Sequence, residues 1–109
     1  MKIICNKILP PKGYTAINLF GYVFVKDGTV LEAKTINHEQ IHTEQGRELL
    51  WIFFYLWYGI EWIVRLIQYK NSKQAYYNIS FEREAYANAD NLNYLKNRKR
   101  YSFVKYIKV

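Results

Sequence analysis

Hydrophobic and polar positions divide the chain into a β-rich first third and a helical remainder. The N-terminal residues alternate weakly and predict a short strand, which ends at the turn chemistry of Pro10–Gly13. Residues 16–26 are β-branched and aromatic, with Gly21 as a candidate bulge. Asp27–Gly28 then predicts a hairpin into another strand over residues 29–33. The pattern therefore predicts a small antiparallel sheet.

A helical pattern follows this predicted sheet. Thr35 or Asn37 is the expected N-cap of a first helix that continues through Glu48, with a bend or break near Gly46. The next stretch, Leu49–Ile67, is almost continuously apolar and almost long enough to span a bilayer.

Two charges inside this apolar stretch favour a different interpretation. Glu61 and Arg65 would each be costly at the middle of a membrane. Their spacing of four residues allows an ion pair on one helix face. We therefore predict a buried backing helix in a soluble domain rather than a membrane span, and we keep membrane-surface association through its Trp and Tyr rings as a further alternative.

The last part of the chain is predicted to be helical but is less regular. Residues 68–73 are polar and predict a loop, and a further helix is expected over residues 73–96. The final segment, Tyr101–Val109, fits a short helix or a strand equally well. Together these elements predict one α+β domain over residues 1–109.

The composition predicts a core rich in aromatic rings, and the charged residues are unevenly distributed along the chain. The chain is 50% hydrophobic and 18% aromatic, and its net charge is +7. No acidic residue follows Asp90, whereas the C-terminal segment carries Lys96, Arg98, Lys99, Arg100, Lys105 and Lys108. Such a segment could meet nucleic acid, an anionic membrane or an acidic partner. Because no nucleic-acid motif accompanies it, we predict a solvated face and no nucleic-acid partner.

The chemistry of the chain is concentrated at its only two histidines, His38 and His42. They stand four residues apart in a His-Glu-x-x-His motif, so that on a helix both imidazoles face the same way and could bind one Zn²⁺. Glu39 lies beside that face, where it could act as general base towards a metal-polarised water. The motif predicts a zinc peptidase, against the alternative of an amphipathic helix with two polar surface histidines.

A zinc site needs a third protein ligand, and the sequence offers two carboxylates for it. Glu82 and Glu84 both lie on the predicted downstream helix, and because they are two residues apart they point in different directions. The single cysteine, Cys5, could in principle bind the metal but is expected to be a small apolar residue of the N-terminal strand. One cysteine and no signal-peptide core predict a reducing, cytoplasmic location.

The motif residues resemble the gluzincin metallopeptidases. The resemblance rests on His38-Glu39-x-x-His42 and on Asn78-Ile-Ser-Phe-Glu82-Arg-Glu-Ala85, which is similar to the Asn-x-x-x-Glu-x-x-Ala pattern around the ligand glutamate of that family. It implies that Glu82 rather than Glu84 is the third ligand. In length the chain resembles the single-domain minigluzincins, which implies a zincin-like fold with a small sheet, two zinc helices and a backing helix.

One position departs from the family pattern. Many gluzincins have an aspartate four residues after the ligand glutamate, where it supports the other ring nitrogen of the first histidine, and this chain has Tyr86 there. Each histidine still needs a partner that fixes its tautomer, and a backbone carbonyl, Asp90 or Asn78 is predicted for this.

The resulting prediction is a zinc-dependent metallopeptidase that hydrolyses peptide or protein substrates. Tyr76, Tyr77 and Tyr86 are candidates for the donor that stabilises the developing oxyanion. The alternative is a latent or non-catalytic zinc-stabilised binding module, with the basic C-terminus covering the metal or with the protein held at a membrane surface. The sequence leaves the oligomeric state open.

Overall fold

A computed structural model describes residues 1–107, and it is an α+β structure as predicted. Within these residues a three-stranded sheet is followed by five α-helices and a 3-10 helix. The strands are β1 (Lys2–Asn6), β2 (Ile17–Leu19) and β3 (Tyr22–Lys26). The helices are α1 (Ala33–Glu48), α2 (Ile52–Tyr69), α3 (Ser72–Tyr77), α4 (Ser80–Asn88) and α5 (Tyr94–Asn97), and the 3-10 helix is Ser102–Tyr106.

The sheet differs from the prediction in the position of its hairpin turn and in the relative direction of two of its strands. Its order is β1-β3-β2, and β1 pairs parallel to β3, so that only the β2–β3 pair is antiparallel. The hairpin turn lies at Phe20–Gly21, where both residues have positive φ (56° and 89°). Gly21 is therefore a turn residue and not a bulge. Asp27–Gly28 also forms a turn, in which the Thr29 N–H donates to the Lys26 carbonyl at 3.1 Å, but it joins β3 to no further strand. The strand predicted over residues 29–33 is wrong, because the chain there leads directly into α1.

Helix α1 is longer than predicted at its start and is not broken at Gly46. It begins at Ala33 after Glu32, whose side chain makes no capping hydrogen bond, so neither Thr35 nor Asn37 is the N-cap. Gly46 instead permits a close approach, since a Cβ atom there would lie 2.2 Å from Cζ3 of Trp51. The ring of Trp51 therefore packs directly on the backbone of α1, immediately before α2 starts.

The predicted aromatic helix is present as α2, but it is not buried as predicted, because only Phe54, Glu61 and Arg65 of its 18 residues are buried. Phe54, on its inner side, packs in the core cluster with Ile79, Phe81 and Phe103. The predicted pairing of Glu61 with Arg65 is confirmed at 3.8 Å, and both side chains are buried. The Glu61 carboxylate also accepts hydrogen bonds from the backbone N–H and the hydroxyl of Ser80, at 2.6 and 2.7 Å. A buried carboxylate thus lies at the N-terminus of α4, where the helix dipole favours negative charge.

The length of the apolar stretch Leu49–Ile67 raises the question of a membrane span. No single helix in residues 1–107 is long and apolar enough to cross a membrane, although α1 and α2 pass that test of length and composition as a pair bent by 112°.

The single helix predicted over residues 73–96 is wrong, because the chain forms α3, α4 and α5 there. Asn71 caps α3 by accepting from the backbone N–H of Gln74, so the predicted polar loop shortens to two residues. Ile79 is extended (φ −65°, ψ 136°) and separates α3 from α4. The C-terminal segment, for which helix and strand were both open, is a 3-10 helix up to Tyr106, and residues 108–109 lie outside the described residues.

Candidate metal centre

The His-Glu-x-x-His motif forms a buried cluster on α1. His38, Glu39 and His42 are each less than a tenth exposed, and one potential ligand atom from each lies within 4.8 Å of the others. The helix produces this arrangement because residues four apart share a face. The alternative of two surface histidines is therefore excluded.

Glu82 reaches the same point from α4. Its Oε1 atom lies 3.0 Å from Nε2 of His42 and 3.3 Å from Nε2 of His38, and the two Nε2 atoms are 3.1 Å apart. Glu84 lies elsewhere, since its carboxylate accepts hydrogen bonds from Arg98, at 2.6 Å from Nε. Of the two carboxylates that the sequence offered, only Glu82 lies against the histidines.

Gln45 determines the tautomer of His42. The Gln45 amide nitrogen donates to the carbonyl of Phe81 (3.1 Å) and to the carboxylate of Glu84 (2.9 Å), so its oxygen must be the atom that faces His42. That oxygen lies 2.7 Å from Nδ1 of His42 and accepts its proton. In neutral His42, Nε2 therefore presents a lone pair towards His38 and Glu82.

Tyr58 of α2 holds the other oxygen of Glu82. Its hydroxyl donates to Oε2 at 2.6 Å, while its ring stacks on Phe81 with centroids 6.1 Å apart. Burial, followed by the charge of Glu82, raises the pKa of Tyr58 far above its usual range, so the phenol keeps its proton. Glu82 thus has one oxygen fixed by the protein and the other directed at the histidines.

Burial and charge separate the pKa values within the cluster. Burial works to lower the pKa of His42, but the Glu82 and Glu39 carboxylates outweigh it and raise that pKa to about 9. Burial works to raise the pKa of Glu82, but His42 and His38 hold it far below its usual range. The pKa of Glu39 is raised, chiefly by burial. Without a metal, His42 and Glu82 therefore form an ion pair, with the His42 Nε2 proton shared towards the carboxylate.

The donor set fits a small divalent cation. Two atoms bound to a tetrahedral Zn²⁺ at about 2.0–2.1 Å are about 3.3 Å apart, and the three separations in the cluster are 3.0 to 3.3 Å. Oε2 of Glu39 is buried without a hydrogen-bond partner in the described chain. A water beside the ion would satisfy this atom. The cluster could therefore hold a metal ion, and these contacts alone do not fix which one.

Two cavities open on either side of Glu39. The first, of about 460 Å³, is also lined by His38, Tyr76 and Tyr86. The second, of about 520 Å³, has a mostly apolar lining from β2 and α2 and reaches His42 and Glu82. Residues of the β1–β2 connection line both, and Tyr14 packs edge-on against Tyr76 with ring centroids 5.8 Å apart. The cluster is therefore buried but borders open space on two sides.

The edge of the sheet is fixed beside the cluster by Asn18. Its amide donates to the backbone carbonyl of Glu39 and to the hydroxyl of Thr43, both at 2.9 Å. Because the strand order is β1-β3-β2, the outer side of β2 is an edge of the sheet, and its residues border the second cavity. An extended chain could pair with this edge while it passes Glu39.

The three tyrosines proposed from the sequence lie together near His38. The ring of Tyr86 meets the His38 ring edge-on at 4.4 Å, and its hydroxyl is 3.2 Å from that of Tyr76. Burial raises the pKa of Tyr86 to about 12. Tyr77 contacts Tyr86 at 5.1 Å but, unlike it, does not meet a histidine ring.

The side chains predicted to fix the histidine tautomers, Asp90 and Asn78, are wrong for His42, and for His38 the predicted partner stays a prediction. Asp90 forms a surface ion pair with Lys34 at 3.3 Å, and the Asn78 side-chain oxygen accepts from Arg83. Gln45 takes that role for His42. A sequence signal existed for it, because Gln45 lies three residues after His42 on the same helix, whereas nothing in the sequence linked Tyr58 to Glu82.

The basic C-terminal segment is partly structural rather than solvated. Arg98 is buried and binds the carboxylates of Glu84 and Glu48, at 2.6 and 2.8 Å. Phe103 packs on Phe81 with centroids 4.5 Å apart. No residue from 99 to 107 lines either of the two cavities beside the cluster, so the part of the segment that is described does not cover the site.

Comparison with known proteins does not assign the chain to a family, since no family model matches it and neither a curated protein nor a solved structure matches it significantly. The fold and the site define an α+β protein with a buried His-Glu-x-x-His cluster that could bind a metal.

Proposed function

We propose that the chain is a zinc-dependent metallopeptidase of the gluzincin type with a zincin-like fold, similar to the minigluzincins. The observation that carries this proposal is the convergence of His38, His42 and Glu82 within 3.3 Å of one another, from two helices distant in sequence. Glu39, which lies beside them, supplies the general base that hydrolysis requires.

In the proposed reaction the two histidines and Glu82 hold the ion. When bound, Zn²⁺ lowers the pKa of a coordinated water and polarises the substrate carbonyl. Oε2 of Glu39 accepts a proton from the attacking water and returns it to the leaving amine. The raised pKa of Glu39 suits this exchange, because a base is most effective when its pKa approaches the working pH.

The substrate is held by the sheet edge and the tyrosines. An extended peptide pairs with β2, and one apolar side chain enters the second cavity. The phenols of Tyr76 and Tyr86 lie next to His38 and donate to the developing oxyanion.

Glu39→Gln tests the proposal. Purified protein is assayed for zinc content and for cleavage of a mixed peptide pool by mass spectrometry. We expect the variant to keep its zinc and to lose cleavage by at least a hundredfold. Glu44→Gln is the matched control, because Glu44 lies on the same helix outside the cluster and pairs with Arg47 near the surface.

A second candidate function is a metal-stabilised binding module with little turnover. The β1–β2 connection favours it, because Tyr14 lies against Tyr76 where the two cavities meet and narrows access to Glu39. Zinc binding without Glu39-dependent cleavage in the full-length protein would select this function.

A further inference from the structure

The outward side of α2 is apolar along its whole length. Seven of its large side chains are each more than half exposed, namely Ile52, Phe53, Leu56, Ile60, Ile63, Val64 and Ile67. At 3.6 residues per turn they fall within an arc of about 120°, and we call them the α2 outer face. The charged residues of this helix, Glu61 and Arg65, are buried on its inner side.

A face of this size is unusual for a protein that has no partner. With a rise of about 1.5 Å per residue, the outer face extends over roughly 23 Å between Ile52 and Ile67. Contiguous apolar surface of this extent marks a site of protein or membrane interaction.

The exposed charges in the part of the chain that contains α2 indicate the kind of partner. Between residues 49 and 107 the acidic residues are Glu61, Glu82, Glu84 and Asp90, and the first three are buried. The exposed basic residues in the same part of the chain are Lys70, Lys73, Lys96, Lys99, Arg100 and Lys105. The exposed charge of this half is therefore almost entirely positive.

Ring contacts connect the outer face to the basic segment. Trp57 borders the face and meets Phe103 edge-on at 5.1 Å. Phe103 contacts Tyr101 at 6.5 Å, and the guanidinium of Arg100 lies 5.6 Å from the Tyr101 ring centre. The outer face and the basic segment are thus linked through the buried Phe103, and a protein that carries both apolar and cationic surface can bind the headgroup region of a bilayer.

We propose that the α2 outer face docks on an anionic membrane surface, with α2 parallel to the bilayer plane. The apolar side chains enter the headgroup boundary, and the basic segment meets the lipid phosphates. The inner side of α2 stays bound to the protein through Glu61 and Ser80, which holds the helix at the surface rather than across the bilayer. Pairing of two copies through this face is disfavoured, because it would bring two positive segments together.

Vesicle flotation of the full-length protein tests the docking. We expect several-fold more protein to float with vesicles of phosphatidylcholine and phosphatidylserine than with phosphatidylcholine alone, and less at high salt. The double variant Leu56→Glu/Ile60→Glu should lose this binding. Val30→Glu/Ile8→Glu is the matched control, because it makes the same charge change at exposed apolar residues outside α2 and should float like the wild type.

A variant of the basic residues tests whether loss of vesicle binding reflects the lost charge rather than unfolding of the protein. Lys99→Ser/Arg100→Ser/Lys105→Ser leaves the outer face unchanged and should weaken binding to anionic vesicles at least tenfold. Circular dichroism establishes that each variant is folded. Absence of wild-type flotation, or equal flotation of the Leu56→Glu/Ile60→Glu variant, would overturn the proposal. So would a dimer in sedimentation equilibrium that this variant dissociates, since that result assigns the face to a second copy.

Discussion

At the scale of single residues, Gln45 determines the tautomer of His42 in the cluster. Its amide is fixed by two acceptors, Phe81 and Glu84, and therefore offers only its oxygen to His42. With Nδ1 protonated, the other ring nitrogen is available for a cation. A residue outside the candidate ligand set thus determines which ring nitrogen of His42 is free to bind an ion.

Replacement of Gln45 by Met should weaken zinc binding about 10- to 100-fold. The Nδ1 proton of His42 then loses its acceptor, and the ring loses its fixed orientation. Competition with a chromophoric chelator measures the affinity. Gln40→Met is the control, because Gln40 is exposed on the same helix, and equal affinities of the two variants would contradict the prediction.

The metal-free protein should lose stability as the pH rises from 6.5 to about 9. The pKa of His42 is about 9 in the folded chain against an ordinary value of 6.5, so its protonated form stabilises the fold fully below 6.5, and this contribution disappears through about 9. We expect a fall of roughly 1–3 kcal/mol in the free energy of unfolding, measured with urea after chelation.

Two comparisons sharpen this pH prediction. Glu82→Gln removes the main charge that raises the His42 pKa, so its stability should depend less on pH in that window. Added zinc should stabilise the wild type more at pH 8 than at pH 6, because the ion competes with the proton on His42. A metal-free wild type with constant or rising stability from pH 6.5 to 9 would refute the prediction.

At the scale of elements, the junction of α1 and α2 depends on Gly46. The ring of Trp51 occupies the space where any larger residue would place its side chain. That ring cannot move away easily, because Phe20, Phe54 and Tyr55 surround it at centroid distances of 5.9 to 6.1 Å. The helix that carries the His-Glu-x-x-His motif and the backing helix therefore meet through a close contact that leaves no room for a side chain at residue 46.

Gly46→Ala should destabilise the protein by about 1–3 kcal/mol, since the added methyl group overpacks this junction. Gly59→Ala is the matched control in α2. No atom outside its immediate neighbours lies within 4 Å of a Cβ there, so it should be neutral or stabilising by up to about 1 kcal/mol. Urea unfolding compares the two, and similar losses in both would count against a packing role for Gly46.

At the scale of the whole molecule, Arg98 joins three parts of the chain. Its guanidinium binds Glu48 at the end of α1 and Glu84 in α4, and it stands at the start of the C-terminal segment. The same arrangement explains why Glu84, two residues from Glu82, is not part of the metal cluster. One glutamate contributes to the fold and the other to the site.

Arg98→Met should cost about 3–5 kcal/mol of stability, because it leaves the buried carboxylate of Glu84 and the partly buried one of Glu48 without their cation. Arg100→Met is the control at an exposed arginine of the same segment and should change stability by no more than about 0.5 kcal/mol. Thermal unfolding of both variants provides the measurement. Equal melting temperatures would show that Arg98 contributes no more than a surface charge.

The sequence predicted those features that depend on local spacing. The histidine pair, the Glu61–Arg65 pair and the aromatic helix all follow from periodicity within one element. The turn at Phe20–Gly21 was missed because Asp27–Gly28 is the stronger local signal, although tertiary contacts decide the pairing. Tyr58 could not be predicted, since its partner Glu82 is brought near only by the packing of α2 on α4.

The hydrogen bonds between α2 and α4 affect the position of Glu82 relative to the histidines. The backing helix holds Glu82 through Tyr58, and it holds the start of the same helix through Glu61 and Ser80. The third candidate ligand is therefore positioned by α2, whereas the two histidines belong to α1. A displacement of α2 relative to α1 would move the Glu82 carboxylate away from the imidazoles. The distance between the candidate ligand atoms thus depends on the contact of Tyr58 with Glu82, which lies outside the His-Glu-x-x-His motif.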